Sequence, residues 1–218
     1  MKIAIGVYDE LTILDVIGPY QVLAFLPGAE VVFCAERPGR ISDDHGLVHL
    51  EVEHSFDDIP DPEVLLVGGG FVTRGLARPD AAIVQWIAGA HPGTTWTTSV
   101  CTGSLLLGAA GVLQGLRATT HWQAKDLLGG FGATPVDERV VVDGKVVTGA
   151  GVSAGIDMAL TLAAEIAGPE VAQAIQLGIE YDPQPPFEAG APWKAPTEIV
   201  ELVNAIYAES DAALDSTD

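Results

Sequence analysis

A β-rich run, Thr94 to Val100, passes through one cysteine into a helical run that starts at Ser104. The join, Val100-Cys101-Thr102-Gly103-Ser104, constrains the fold more than any other stretch. A strand that turns sharply into a helix needs small residues nearby, because the corner residue is held in a strained backbone conformation. Gly103 lies two residues after Cys101 and meets that need. The corner side chain projects from the C-terminal edge of a sheet, and the helix that follows aims its positive end at the same place. The pattern predicts a nucleophile elbow, with the Cys101 pKa lowered and some thiolate present at neutral pH. The plain alternative is a buried structural cysteine, since free Cys packs as a small apolar residue.

Strand and helix patterns alternate through the rest of the chain. Strands are expected over 2–8, 30–35, 63–67, 94–100 and 116–120, with short ones near 40–42 and 47–51. Helices are expected near 14–26, 79–90, 104–112, 121–129, 153–167, 170–181 and 196–208. Arg139 to Thr148 reads as a hairpin turning at Asp143-Gly144. Alternating β and α units imply an α/β fold: a mostly parallel sheet with helices on both faces. Its ligand site lies beyond the carboxyl ends of the strands. No repeat or linker interrupts 1–208, which reads as one domain, and 209–218 reads as an acidic, frayed tail.

At 218 residues and 48% hydrophobic content the chain can bury a large core. No apolar run is long enough to span a membrane. The N-terminus reads as a first strand without signal-peptide features, so a cytoplasmic location is expected. Thirty acidic against ten basic residues give a net charge of −20. Nucleic-acid binding needs clustered Lys/Arg and is disfavoured. The acids are spread along the chain and only four lysines occur, as in a halophilic surface; an ordinary acidic surface is the alternative. A halophilic chain should gain unfolding stability between low and molar salt, and an unchanged unfolding midpoint would remove the idea. The two cysteines, Cys34 and Cys101, suggest neither a disulfide framework nor a metal site such as zinc.

Three other features carry chemistry. Asp15 sits among apolar residues in Leu14-Asp15-Val16-Ile17-Gly18-Pro19, as an N-cap or as a functional acid whose pKa burial would raise. Gly68-Gly69-Gly70 leaves a buried strand. It is either an ordinary strand exit or, through Gly69, Gly70 and the Thr102 N–H, a source of anion-stabilising donors. GxGxxG spacing is absent, so it is no dinucleotide fingerprint. Thr102 carries a hydroxyl next to Cys101 or is a plain first helical residue. His121 starts a helix after a strand and is read as structural ahead of a catalytic base.

Val100-Cys101-Thr102-Gly103-Ser104, Gly108-Ala109-Ala110-Gly111-Val112-Leu113, Arg117-Ala118-Thr119-Thr120-His121-Trp122, Leu14-Asp15-x-x-Gly18-Pro19 and Ser153-Ala154-Gly155-Ile156-Asp157 together resemble the ThiJ/PfpI superfamily. That superfamily is related to class I glutamine amidotransferases. Within it the chain is most similar to the isocyanide hydratase branch, including the tail segment Ile179 to Gly190. The resemblance implies a flavodoxin-like sandwich, a homodimer, a small-molecule substrate and no cofactor. It also implies Cys101 as nucleophile, Asp15 as acid/base partner and Thr102 hydrogen-bonding at the site. Protease-like and deglycase-like members place His where this chain has Thr102, and Glu where it has Asp15; both differences favour the hydratase branch. Ala150 within Gly149-Ala150-Gly151, and Val152 where relatives carry Ile, depart from the pattern and remove no reactive group.

The implied activity is water addition to an isocyanide, giving an N-substituted formamide through a Cys101 thioimidate. Two other expectations stand beside it. One is a non-enzymatic sensor resembling the ligand-binding half of AraC-type regulators, whose DNA-binding part finds no counterpart before Asp218. The other is a redox or stress protein in which Cys101 is oxidised.

Overall fold

Val64-Leu65-Leu66-Val67 is buried at every position. A short apolar run without alternation belongs in the middle of a parallel sheet covered on both faces, and the structure puts it there. The computed structural model describes residues 1–215. The chain divides into two units, 1–180 and 181–218, the boundary falling inside the stretch read as one domain.

In the first unit the strands are β1 (Lys2–Gly6), β2 (Glu30–Ala35), β3 (Gly39–Ser42), β4 (His49–Val52), β5 (His54–Ser55), β6 (Val64–Val67), β7 (Trp96–Val100), β8 (Arg117–Ala118), β9 (Thr134–Pro135), β10 (Val140–Asp143) and β11 (Val146–Gly149). Its helices are α1 (Leu14–Leu23), α2 (Thr73–Leu76), α3 (Ala82–Ala90), α4 (Gly103–Ala109), α5 (Ala154–Ala167) and α6 (Pro169–Gly178). The second unit contains α7 (Thr197–Asp215).

One seven-stranded sheet runs β10-β11-β7-β6-β1-β2-β5. All its neighbours are parallel except the β10–β11 hairpin, whose two-residue loop is Gly144-Lys145, one position on from the expected Asp143-Gly144. Alternate residues of β1 feed opposite faces. Ile3 and Ile5 join the core that includes Val16 and Val22 of α1 and Leu162 of α5. Ala4 joins Leu65 and Val67 of β6, Ile87 of α3 and Leu105 of α4 on the other face. From β1 the chain adds β2 on one side and β6 on the other. That reversal makes a topological switch point, where ligand sites form in such sheets. Asp15 follows β1, the three glycines follow β6 and Cys101 follows β7.

Several boundaries differ from expectation. The 116–120 strand shrinks to β8, paired with the short β9. The 121–129 helix is a 3₁₀ helix, Trp122–Phe131, because Gly129-Gly130 is a poor α-helix former. The helix after Cys101 ends at Ala109, and Gly111 takes φ 79° beyond it. Helix α7 extends through Asp215, into the stretch expected as an acidic tail from 209. The last three residues of that expected tail, 216–218, lie outside the described residues.

Candidate active site

Cys101 has φ 57°, in the left-handed region that non-glycine residues avoid. Backbone bonds on both sides hold it there. Its N–H donates to the Gly149 and Ala150 carbonyls at 3.1 and 2.9 Å. Its carbonyl accepts from the Ser104 Oγ at 3.1 Å and the Thr120 Oγ1 at 3.0 Å. The thiol is buried, and α4 begins two residues on.

Asp15 lies in the first turn of α1 and is fully buried. The residue at the helix cap is Ile13, and the Asp15 carboxylate bonds no helix amide. It instead reaches across to the glycine loop, where its Oδ2 accepts the Gly69 N–H at 2.7 Å. Among the described residues its Oδ1 has no hydrogen-bond partner. The next amide, Gly70 N–H, donates to the Thr102 Oγ1 at 3.0 Å, and the Thr102 hydroxyl donates to the Gly70 carbonyl at 3.1 Å. The amides of Gly69 and Gly70, expected as anion donors, are thus already committed to Asp15 and Thr102. They hold the acid and the hydroxyl in place.

Gly69 has no room for a side chain. A Cβ there would sit 2.5 Å from the Thr102 Oγ1, 2.6 Å from its N and 3.0 Å from the Asp15 Oδ2. All three of these neighbours are fixed by backbone or by a bond to the loop itself. Gly69→Ala should therefore lose about 1–3 kcal/mol of stability and most of the activity; wild-type melting and turnover in this variant would contradict the packing described.

The electrostatics overturn one expectation. Burial, followed by the negative charge of Asp15, pushes the Cys101 thiol well above its ordinary value; the Val152 and Thr102 amides and the Thr102 hydroxyl oppose this. A thiolate favoured by the helix terminus is not what the site holds. α4 is only seven residues long, and the cost of removing the thiolate from water exceeds what the helix terminus and amides return. Burial also lifts Asp15 to about 7, against the pull of the Gly69 N–H and the hydrogen-bonding Cys101 thiol, with the Asp44 charge adding to the rise. The two groups titrate as a pair. Above about pH 7 the carboxyl ionises and the pair keeps one proton, on sulfur.

The model of the DJ-1/PfpI family matches residues 1–165. This chain belongs to the DJ-1/PfpI family. It is 44% identical over 201 residues to an isonitrile hydratase of Pseudomonas putida, covering 92% of this chain and 87% of that one. It is also 35% identical over 112 residues to the HTH-type transcriptional regulator CdhR of Pseudomonas aeruginosa, covering 50% of this chain and 33% of the regulator. A solved ThiJ/PfpI family protein from Pseudomonas syringae superposes with TM-score 0.88 at 39% identity, over 97% of this chain and 89% of that one.

Within this DJ-1/PfpI fold the remaining sequence candidates fall outside the pair. His121 caps the 3₁₀ helix by accepting the Gln123 N–H, and a Cβ on Gly151 would press on its ring. Burial, then the Arg74 charge, lowers its pKa to about 4, so it is a weak base at neutral pH. Cys34 is buried, points its thiol at the Ile5 carbonyl and is pushed up to about 12 by burial; it is inert. Among the described residues no cluster of His, Cys, Asp or Glu could hold a metal ion, and no helix is long and apolar enough to cross a membrane.

Sequence reasoning missed Tyr8, whose hydroxyl donates to the Gly68 carbonyl at 2.9 Å, Val152 as an amide donor, and Thr120. The last was visible only as part of a motif around His121. Val152 contributes its backbone amide, which no side-chain pattern reveals.

Proposed function

We propose that this DJ-1/PfpI chain hydrates isocyanides to N-substituted formamides, with Cys101 as nucleophile and Asp15 as general acid/base. The observation that carries the reading is the buried Asp15–Cys101 pair, its carboxyl held by the Gly69 N–H and poised near neutrality. The 44% identity to an isonitrile hydratase over most of both chains supports it.

The terminal carbon of R–N≡C accepts a nucleophile and a proton at one atom. The Asp15 carboxylate takes the thiol proton as sulfur forms its bond to that carbon, and the carboxyl then delivers the proton to the same carbon. The product is the thioimidate Cys101–S–CH=N–R, with Asp15 again ionised. Asp15 next removes a proton from water as its oxygen attacks the thioimidate carbon, and returns that proton to nitrogen. Collapse of the S–CH(OH)–NHR adduct forms the formyl C=O, breaks the C–S bond and returns the hydroxyl proton to sulfur. One isocyanide and one water give one formamide, and the pair ends with the proton it began with. A protonated thiol at rest suits this cycle, because the proton needed at carbon is already on the pair.

The test is to mix the purified protein with an alkyl and an aryl isocyanide and follow the formamide by chromatography. Steady turnover is the expected result, and no formamide from either substrate would overturn the proposal. The sensor reading draws support from the match to CdhR; saturable isocyanide binding without formamide would favour it.

A further inference from the structure

The peptide between Gly68 and Gly69 makes hydrogen bonds at both ends. Its N–H, on Gly69, donates to the Asp15 Oδ2 at 2.7 Å. Its C=O, on Gly68, accepts the Tyr8 hydroxyl at 2.9 Å. A peptide unit is rigid and planar, so a bond that fixes the carbonyl also fixes the direction of the amide hydrogen. Both flanking residues are glycines, with no Cβ to bias the dihedrals that would turn this plane over. The next peptide along is held separately, its Gly69 carbonyl accepting the Thr12 N–H at 2.9 Å.

We infer that Tyr8 is a positioning residue for Asp15: its hydroxyl holds the Gly68 carbonyl, and so aims the Gly69 N–H at the carboxylate. Tyr8 lies two residues beyond β1, at the same switch point as the reacting pair. Its phenol is pushed well above its ordinary value, chiefly by burial and then by the charges of Asp15, Cys101 and Asp44. It therefore stays protonated and acts as a hydrogen-bond donor across the working pH range. The inference rests on the acid/base role proposed for Asp15, but it concerns the ionisation of that carboxyl, which can be read without turnover.

The groups that act on Asp15 come from four elements. Tyr8 follows β1 and acts through the peptide. Asp44 follows β3, is held by the Thr12 hydroxyl at 2.9 Å and raises the Asp15 pKa. The Gly69 N–H follows β6 and lowers it, and the Cys101 thiol follows β7 and lowers it. Removing the Tyr8 hydroxyl leaves Asp44 and Cys101 in place and releases the Gly69 N–H. Asp15 then loses a donor to its charged form, and its pKa rises above about 7. The carboxylate is the form that takes the thiol proton, so the acid limb of kcat/KM moves to higher pH.

The experiment is Tyr8→Phe, which removes one oxygen and keeps the ring. Two readouts are taken from protein with a native near-UV circular dichroism spectrum. The first is the Asp15 carboxyl titration by ¹³C NMR, assigned with Asp15→Asn. The midpoint should rise by about one pH unit. The second is the pH profile of isocyanide hydration. The kcat at pH 7 should fall about three- to tenfold, the scale of one hydrogen bond, with KM little changed and activity recovering at alkaline pH. An unchanged Asp15 midpoint in folded Tyr8→Phe would overturn the inference. So would a uniform loss of activity at every pH, which is what simple destabilisation produces. If the wild-type protein shows no hydration at all, the proposed function fails, and the NMR titration still decides the role of Tyr8.

Discussion

Cys101→Ala should abolish isocyanide hydration, with kcat/KM falling by a factor on the order of 10⁴ or more. The residue supplies the atom that bonds to the substrate, and no neighbour can replace it. Cys34 is buried on β2 with its thiol turned to the Ile5 carbonyl, and the Thr102 hydroxyl is engaged on both sides by Gly70. The measurement is formamide production under saturating and limiting isocyanide, alongside intact-protein mass spectrometry. The wild type should show an adduct equal to the mass of one isocyanide, and the variant should show none. Retained turnover in the variant would mean that sulfur is not the nucleophile. The buried, protonated state of this thiol also weighs against the redox reading, because oxidation proceeds through the thiolate.

Asp15→Asn should lower kcat/KM by about 10²–10⁴-fold, the range for a general acid–base residue. Asparagine can still accept the Gly69 N–H through its carbonyl oxygen, so the loop should persist while the proton transfer is lost. The same variant has a second consequence, in stability. The folded pKa of Asp15 is about 7 against an ordinary value of 3.8. Between these values the folded state binds the proton that the unfolded state has released. Stability therefore falls as pH rises from about 4 to 7 and stays lower above that. At about 1.4 kcal/mol per pKa unit the penalty above pH 7 is about 4 kcal/mol. Asp15→Asn removes it, so the variant should melt above wild type at pH 8, and its advantage should shrink towards pH 4. Equal melting at both pH values would show that burial does not strain this carboxyl.

Much of the architecture was legible because it rests on local signals. The unbroken apolar run at Val64–Val67 predicts a central parallel strand, and Asp143-Gly144 predicts the β10–β11 turn to within one position. Cys101 beside Gly103 marks the strand-to-helix corner. The short strands β5 and β9 carry too few residues to show a period, and α2 spans one turn. The candidate site was legible in the residues that the fold groups together and less so in its energetics. Cys101, Asp15, Thr102, Gly69 and Gly70 do come together at one switch point. The direction of the thiol pKa was not legible, since it depends on burial set by long-range packing and on an acid 86 positions away in the chain. That the glycine amides are committed was not legible either, because their partners, Asp15 and Thr102, are brought to them only by the fold. Tyr8 gave no signal at all, because its bond is to a backbone carbonyl 60 residues away.

The central claim is that one proton, shared by Cys101 and Asp15, drives both halves of the reaction. Its most direct test is the pH dependence of kcat/KM for isocyanide hydration, compared between wild type and Asp15→Asn. The account predicts a wild-type rate that rises with pH through a single acid limb near 7, as the carboxyl ionises, and a variant in which that limb disappears along with most of the rate. A wild-type rate flat from about pH 5 to 9, or the same limb surviving in Asp15→Asn, would contradict it.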